Sequence, residues 1–87
     1  MNAPALKVKV SDHGRQRFEE RVQPQDQAEI FYMYIYLFGH DPTDEEMDTF
    51  GFRRLPGREY RLWRHGWWNY LVVYDPDNKT FITLLRR

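Results

Sequence analysis

The sequence predicts an α+β domain in which two to three short helices pack on a small antiparallel sheet of three to four strands. Three observations carry that expectation. Helix-initiating patterns stand at Ser11-Asp12 and at Thr43-Asp44-Glu45-Glu46 in the first half. From Arg58 onward the apolar period changes to two and is broken by two turn sequences. A chain of 87 residues has room for one modest core, and 17% aromatic residues let a few side chains fill it.

Residues 1–87 are accordingly read as a single compact domain, with residues 1–6 disordered because Pro4 and its small neighbours have little to pack. Lys7-Val8-Lys9-Val10 alternates polar and apolar, as a short half-buried strand does. Ser11 or Asp12 then caps a helix that runs to Val22. Residues four apart share a helix face, so His13, Arg17 and Arg21 form one stripe, and Gly14, Phe18 and Val22 another that can lie on a sheet. Gln23-Pro24-Gln25-Asp26 breaks this helix and starts the next.

Residues Ala28 to Phe38 are rich in strand formers. They are also long, apolar on both alternating faces, opened by a helix start and closed by Gly39 as a C-cap, which predicts a helix. A strand there is the alternative and would change the topology. The tyrosine side of the helix, Tyr32 and Tyr36, is expected to meet a partner or a second copy of the chain.

Asp41-Pro42-Thr43 is a turn, and the capping-box pattern after it opens a short acidic helix to about Thr49. A basic connector with a Pro56-Gly57 turn leads to strands at Arg58–Arg64, Trp67–Asp75 and Thr80–Arg87. The turns are His65-Gly66 and Pro76–Lys79. That register places Tyr60, Leu62, Leu71, Val73, Ile82 and Leu84 on a core face. Arg61, Trp63, Trp68, Tyr70, Val72, Tyr74, Phe81, Thr83 and Leu85 fall on the other, an aromatic and basic surface, with Arg61 opposite Tyr70 and Arg87 near Trp68.

Several classes are disfavoured. There is no cysteine, so no disulfide framework or thiolate metal site, and the three histidines lack an i, i+4 pair. No Gly-rich phosphate loop or nucleophile elbow occurs, so no metal and no cofactor is expected. No stretch has the length of a membrane span, which leaves no membrane partner and a cytoplasmic location as the expectation. Net charge is zero, yet Asp41–Phe50 holds five acids and no base, and Gly51–Trp68 five arginines against Glu59 alone.

Two kinds of function fit these residues. Cleavage of RNA at a 2′-hydroxyl needs a base, an acid and cations for the phosphate. Histidine is the side chain best suited to acid–base work near neutral pH, so His13 is the first candidate, Tyr70 the second, with Arg17, Arg21, Arg61 and Arg87 holding the phosphate. Glu20 is a further candidate base. Each also has an ordinary structural role: His13 beside a cap, the arginines in ion pairs, the tryptophans in a core. The second kind is a binder anchored by Tyr32, Tyr36, Trp63 and Trp68, with Asp44 and Glu45 offering an acidic surface.

The segment Val-Ser-Asp-His-Gly-Arg-Gln-Arg-Phe-Glu-Glu-Arg-Val, with Lys79-Thr80-Phe81-Ile82-Thr83-Leu84-Leu85, resembles a family of small uncharacterised bacterial and phage domains related to RelE/ParE-type toxins. The resemblance implies a RelE-like helix pair on an antiparallel sheet and marks His13, Arg17 and Arg21. Gly14 stands where the family usually has alanine, and the basic catalytic set of ribosome-dependent ribonucleases is not clearly reproduced. The sequence therefore favours a small cytosolic phage or bacterial binder or inhibitor of a host protein or nucleoprotein machine. A metal-independent endoribonuclease or RNA binder of the toxin type stays open, as does a dimeric antitoxin-like or structural subunit pairing through residues 28–38.

Overall fold

The computed structural model describes residues 9–22 and 28–87 and has an α+β fold. The expectations for residues 1–6, for the Lys7-Val8 half of the first strand and for the break at Gln23–Asp26 lie outside those residues. The elements run β1 (Lys9–Val10), α1 (Asp12–Arg21), α2 (Ala28–Phe38), α3 (Asp44–Thr49), β2 (Glu59–His65), β3 (Trp68–Asp75) and β4 (Thr80–Arg86). The four strands form one sheet in the order β1-β4-β3-β2. The sheet is mixed, not wholly antiparallel, because β1 lies parallel to β4, with Lys9 beside Thr80 and Val10 beside Phe81.

Ser11 fixes the turn from β1 into α1. Its hydroxyl accepts the Gly14 N–H at 2.9 Å and donates to the Ile82 carbonyl at 2.8 Å, so one side chain caps the helix and ties it to β4. Gly14 makes this approach possible: a Cβ there would stand 3.1 Å from the carbonyl oxygens of both Phe81 and Ile82. Phe18, one turn on, is buried beneath α1. The aromatic run forms helix α2, and three of its residues, Ala28, Tyr32 and Ile35, are wholly enclosed. Gly39 closes it for a reason other than a left-handed cap. Its Cβ position falls 2.8 Å from the Leu62 carbonyl oxygen, where His40 and Leu62 exchange two backbone hydrogen bonds. That bridge carries the chain past the β2 edge to α3, which opens on the complete capping box of Thr43 and Glu46.

Three details of the sheet differ from the expected register. The first hairpin turns on Gly66-Trp67 rather than His65-Gly66, with His65 paired to Trp68. Gly66 alone has positive φ, 60°, and a type II′ turn wants glycine at that first central position. The register moves by two residues, so the faces survive but Arg61 lies opposite Val72, and Trp63 opposite Tyr70. The second difference is a bulge in β4, where Val73 pairs with Thr83 but Tyr74 pairs with Phe81. The extra residue, Ile82, shifts everything after it by one face. Leu84 thus joins Val72 and Tyr74, while Leu85 joins Leu71 and Val73, the reverse of the expected assignment.

The third difference concerns the aromatic face, which is covered rather than open. Helices α1 and α2 lie on it and build the larger core from Phe18, Tyr32, Val72, Tyr74, Phe81 and Leu84. Met47 of α3, with Phe50 and Phe52, covers Tyr60, Leu62, Leu71 and Val73 on the opposite face. Among the described residues no helix is long and apolar enough to cross a membrane.

Candidate functional site

Sorting the ten arginines of the chain by their partners locates one part of the surface. Arg15 pairs with Glu29, Arg17 with Glu20 at 2.7 Å, Arg54 with Asp41 and Asp44, Arg58 with Asp75 at 3.5 Å, and Arg61 with Glu59 at 3.8 Å. The guanidiniums hold the carboxyls of Glu20, Glu29 and Asp75 below their ordinary range; for Asp75 the hydrogen bond from the Asn78 side chain contributes more than Arg58. Among the described residues the other five arginines form no ion pair. Arg53 lies in the connector after α3. Arg21, Arg64, Arg86 and Arg87 all lie at one end of the sheet.

That end is built by the β2–β3 hairpin, the end of β4 and the last turn of α1. Arg21 donates to the Leu84 carbonyl at 3.0 Å, and Arg86 returns a hydrogen bond to the Arg21 carbonyl at 2.7 Å. The two cations are clasped at the C-terminal, partially negative end of α1, where the helix dipole favours them. The Arg86 guanidinium also lies 4.0 Å from the centroid of the Trp68 ring, a close cation–π contact. On the other face Arg87 pairs with Asn69 by backbone hydrogen bonds of 2.8 and 2.9 Å, and Arg64 stands opposite Asn69 on β2. Trp67 caps the hairpin and is 94% exposed. Glu46, which lines the same surface hollow as Asn69 and Arg87, accepts the Thr43 N–H and lies 3.1 Å from the His40 ring nitrogen.

The residues singled out from the sequence separate into groups. Arg21, Arg87 and Trp68 all lie at this end of the sheet, Arg87 on the face opposite the other two. Arg17 lies on α1 but is bonded to Glu20. His13 is exposed on the first turn of α1, and its neighbour Gly14 abuts the Phe81 and Ile82 carbonyls. Tyr70 faces Arg86, some five strand residues or about 16 Å further along β4. It is buried between Phe31 and Trp63, with ring centroids at 5.4 and 6.2 Å. One phosphate cannot bridge His13 and Tyr70. Arg61 is elsewhere again, over the Tyr36 ring at 5.0 Å.

Tyr32 is fully buried and donates to the Gly14 carbonyl at 2.5 Å; burial pushes its hydroxyl pKa well up. Tyr36 is half-buried, donates to Glu59 at 2.8 Å, and has its pKa raised by burial and by that carboxylate. Trp63 is half-buried beneath Phe31 and Tyr34. Asp44 and Glu45 are exposed on α3, Asp44 lying 3.6 Å from Arg54.

Sequence reasoning missed Arg64, Arg86 and Trp67 as members of the site. The one signal for them was the position of the hairpin turn, and moving it by one residue takes Trp67 out of the strand to its tip. A second surface feature lies between α3 and the connector, a hollow of about 340 Å³ lined by Met47, Asp48, Phe52, Arg53 and Arg54. It mixes both charges and gathers no set of convergent acid–base groups. Among the described residues no cluster of three or more His, Cys, Asp or Glu is placed to hold a metal ion. Comparison with protein-family models, with curated proteins and with solved structures finds no match to this chain.

Proposed function

We propose that this protein is a cytoplasmic binding module for a nucleoprotein partner, and that it grips single-stranded RNA through the arginine and tryptophan end of its sheet. The observation that carries the reading is that Arg21 and Arg86 on one face and Arg64 and Arg87 on the other, none in an ion pair among the described residues, lie at the end of the sheet that carries the almost fully exposed Trp67. Arginines track a phosphate backbone, and a free indole stacks on an unpaired base without regard to its identity. Burying such a surface against nucleic acid releases counterions, whereas leaving it in water repels like charges. Asp44 and Glu45 of α3 are exposed and offer an acidic surface to a basic protein region of the same partner.

The resemblance to RelE/ParE-type toxins would instead make His13 part of a ribonuclease site. The separation of His13 from Tyr70, and the burial of Tyr70, favour binding over cleavage.

The test is titration of a short single-stranded RNA, followed by tryptophan fluorescence over a range of salt. Four phosphate contacts predict a slope of about −3 in log K against log salt, since each contributes about −0.7. Substituting both Arg64 and Arg87 by alanine should flatten that slope by about 1.4, and His13→Ala should leave it unchanged. Affinity without salt dependence, or a loss as large from Arg53→Ala, would remove the proposed surface. Cleavage of the RNA that His13→Ala abolishes would restore the nuclease reading.

A further inference from the structure

Helix α2 is apolar on two sides, and only one of them is covered. Tyr32 and Ile35 face the core, while Ile30, Tyr34, Leu37 and Phe38 are 70, 47, 59 and 66% exposed. Their spacing of i, i+4, i+7 and i+8 makes them a single stripe along the helix. The stripe is organised rather than scattered: the Tyr34 ring packs on Phe38 at 4.7 Å and on Trp63 at 5.2 Å, and Trp63 in turn stacks on His65 at 4.8 Å. Apolar surface therefore continues from α2 onto the β2 edge of the sheet.

We propose that this stripe is the seam of a symmetric dimer, in which a second copy of the chain lays its own α2 antiparallel across it. Three observations select a second copy as the occupant. Taking about 200 Å² for a fully exposed side chain of this size, the stripe leaves roughly 500 Å² open per copy, so a pair removes roughly 1,000 Å² from water. That reaches the lower bound of a specific interface, and the adjoining edges of Trp63 and His65 add to it. The helix carries no charge between Glu29 and its end, and Glu29 is held by Arg15, so two identical stripes bring no like charges together. An antiparallel pairing centred on Tyr34 sets Ile30 against Phe38 of the second copy, matching an aliphatic to an aromatic at both ends, and opposes the two helix dipoles. The sequence had pointed to the Tyr32 and Tyr36 side of this helix; at about 100° per residue the exposed side lies about half a turn away.

Sedimentation or light scattering of the full chain at about 100 μM reads the result directly. The expected mass is twice 10.7 kDa for the wild type and 10.7 kDa for Leu37→Asp, with an unchanged far-ultraviolet circular dichroism spectrum. A wild type that stays at 10.7 kDa throughout overturns the proposal, and so does a dimer that survives both Leu37→Asp and Phe38→Asp. Should the aspartate variants fail to fold, the absence of cysteine allows a milder test. Tyr34→Cys lies on the expected two-fold axis and should oxidise to a disulfide-linked dimer far faster than Asn78→Cys in the distant β3–β4 turn. Equal rates overturn the seam.

Discussion

Asp75 shows how a single side chain sets the pH behaviour of this fold. It ends β3, and its carboxylate accepts the Asp77 and Asn78 backbone N–H groups at 3.1 and 3.4 Å and the Asn78 amide at 2.8 Å. Those bonds replace the sheet ladder through the β3–β4 turn, an Asx turn in which a side chain does the work of a peptide group. Hydrogen bonds from Asn78, with Arg58 behind them, hold the carboxyl below its ordinary range. The unfolded chain then takes up the proton at a higher pH than the folded one. The stabilisation is complete above the ordinary carboxylate range and is lost as pH falls through the lowered folded value. Asp75→Asn should therefore lower the urea midpoint at pH 7, and the gap from wild type should narrow below about pH 4. A gap that is constant from pH 7 to pH 3 would show that the charge contributes nothing. Tyr32 works differently at the same scale. Kept neutral by its burial, it remains a donor at all working pH values and ties α2 to the first turn of α1.

Among the elements, β4 departs furthest from what its own residues announce. Thr80 to Arg86 alternates well enough to be written as a regular strand, and the bulge at Ile82 has no proline or glycine to mark it. Its cause lies in another element: Ser11 and Gly14 dock the start of α1 on the Phe81 and Ile82 carbonyls. Non-local causes of this kind are invisible to local periodicity. By contrast, α3 was legible because its capping box is closed within four residues, and α2 because its run is long, apolar on both alternating faces and closed by Gly39. The bulge has a measurable consequence. Leu84 is fully enclosed under the helices, whereas Leu85 is only partly buried over α3. Leu84→Ala should cost about 2–4 kcal/mol in chemical denaturation, and Leu85→Ala less than half of that. A larger cost from Leu85→Ala than from Leu84→Ala would mean that β4 runs in the unbulged register.

At the level of the whole molecule, a net charge of zero conceals a division of labour among the arginines. Half are spent on neighbouring carboxylates, and four are collected where the sheet ends. Helical spacing singled out Arg21, in a stripe with His13 and Arg17, and the strand register placed Arg87 near Trp68, because arginine and tryptophan suit an anion and a base. They could not identify Trp67, whose position depends on which residue of the hairpin takes positive φ. Trp67 is consequently the sharpest probe of what this end of the molecule does. At 94% exposure it supports no core, so Trp67→Ala should leave the thermal midpoint where it is, within about 1 °C. If the indole is a stacking platform, the same substitution removes about 1–3 kcal/mol of single-stranded RNA affinity, a loss of roughly five- to 150-fold. Trp68→Ala should lose less by direct stacking, since Arg86 already covers one face of that ring, and should also disturb the Arg86 position. An affinity untouched by Trp67→Ala, in a protein that still binds RNA with the expected salt slope, would leave the arginines as a purely electrostatic footprint. A tryptophan so exposed would then have to answer to the protein surface of the partner, and its substitution should weaken capture of the intact nucleoprotein while sparing the free strand.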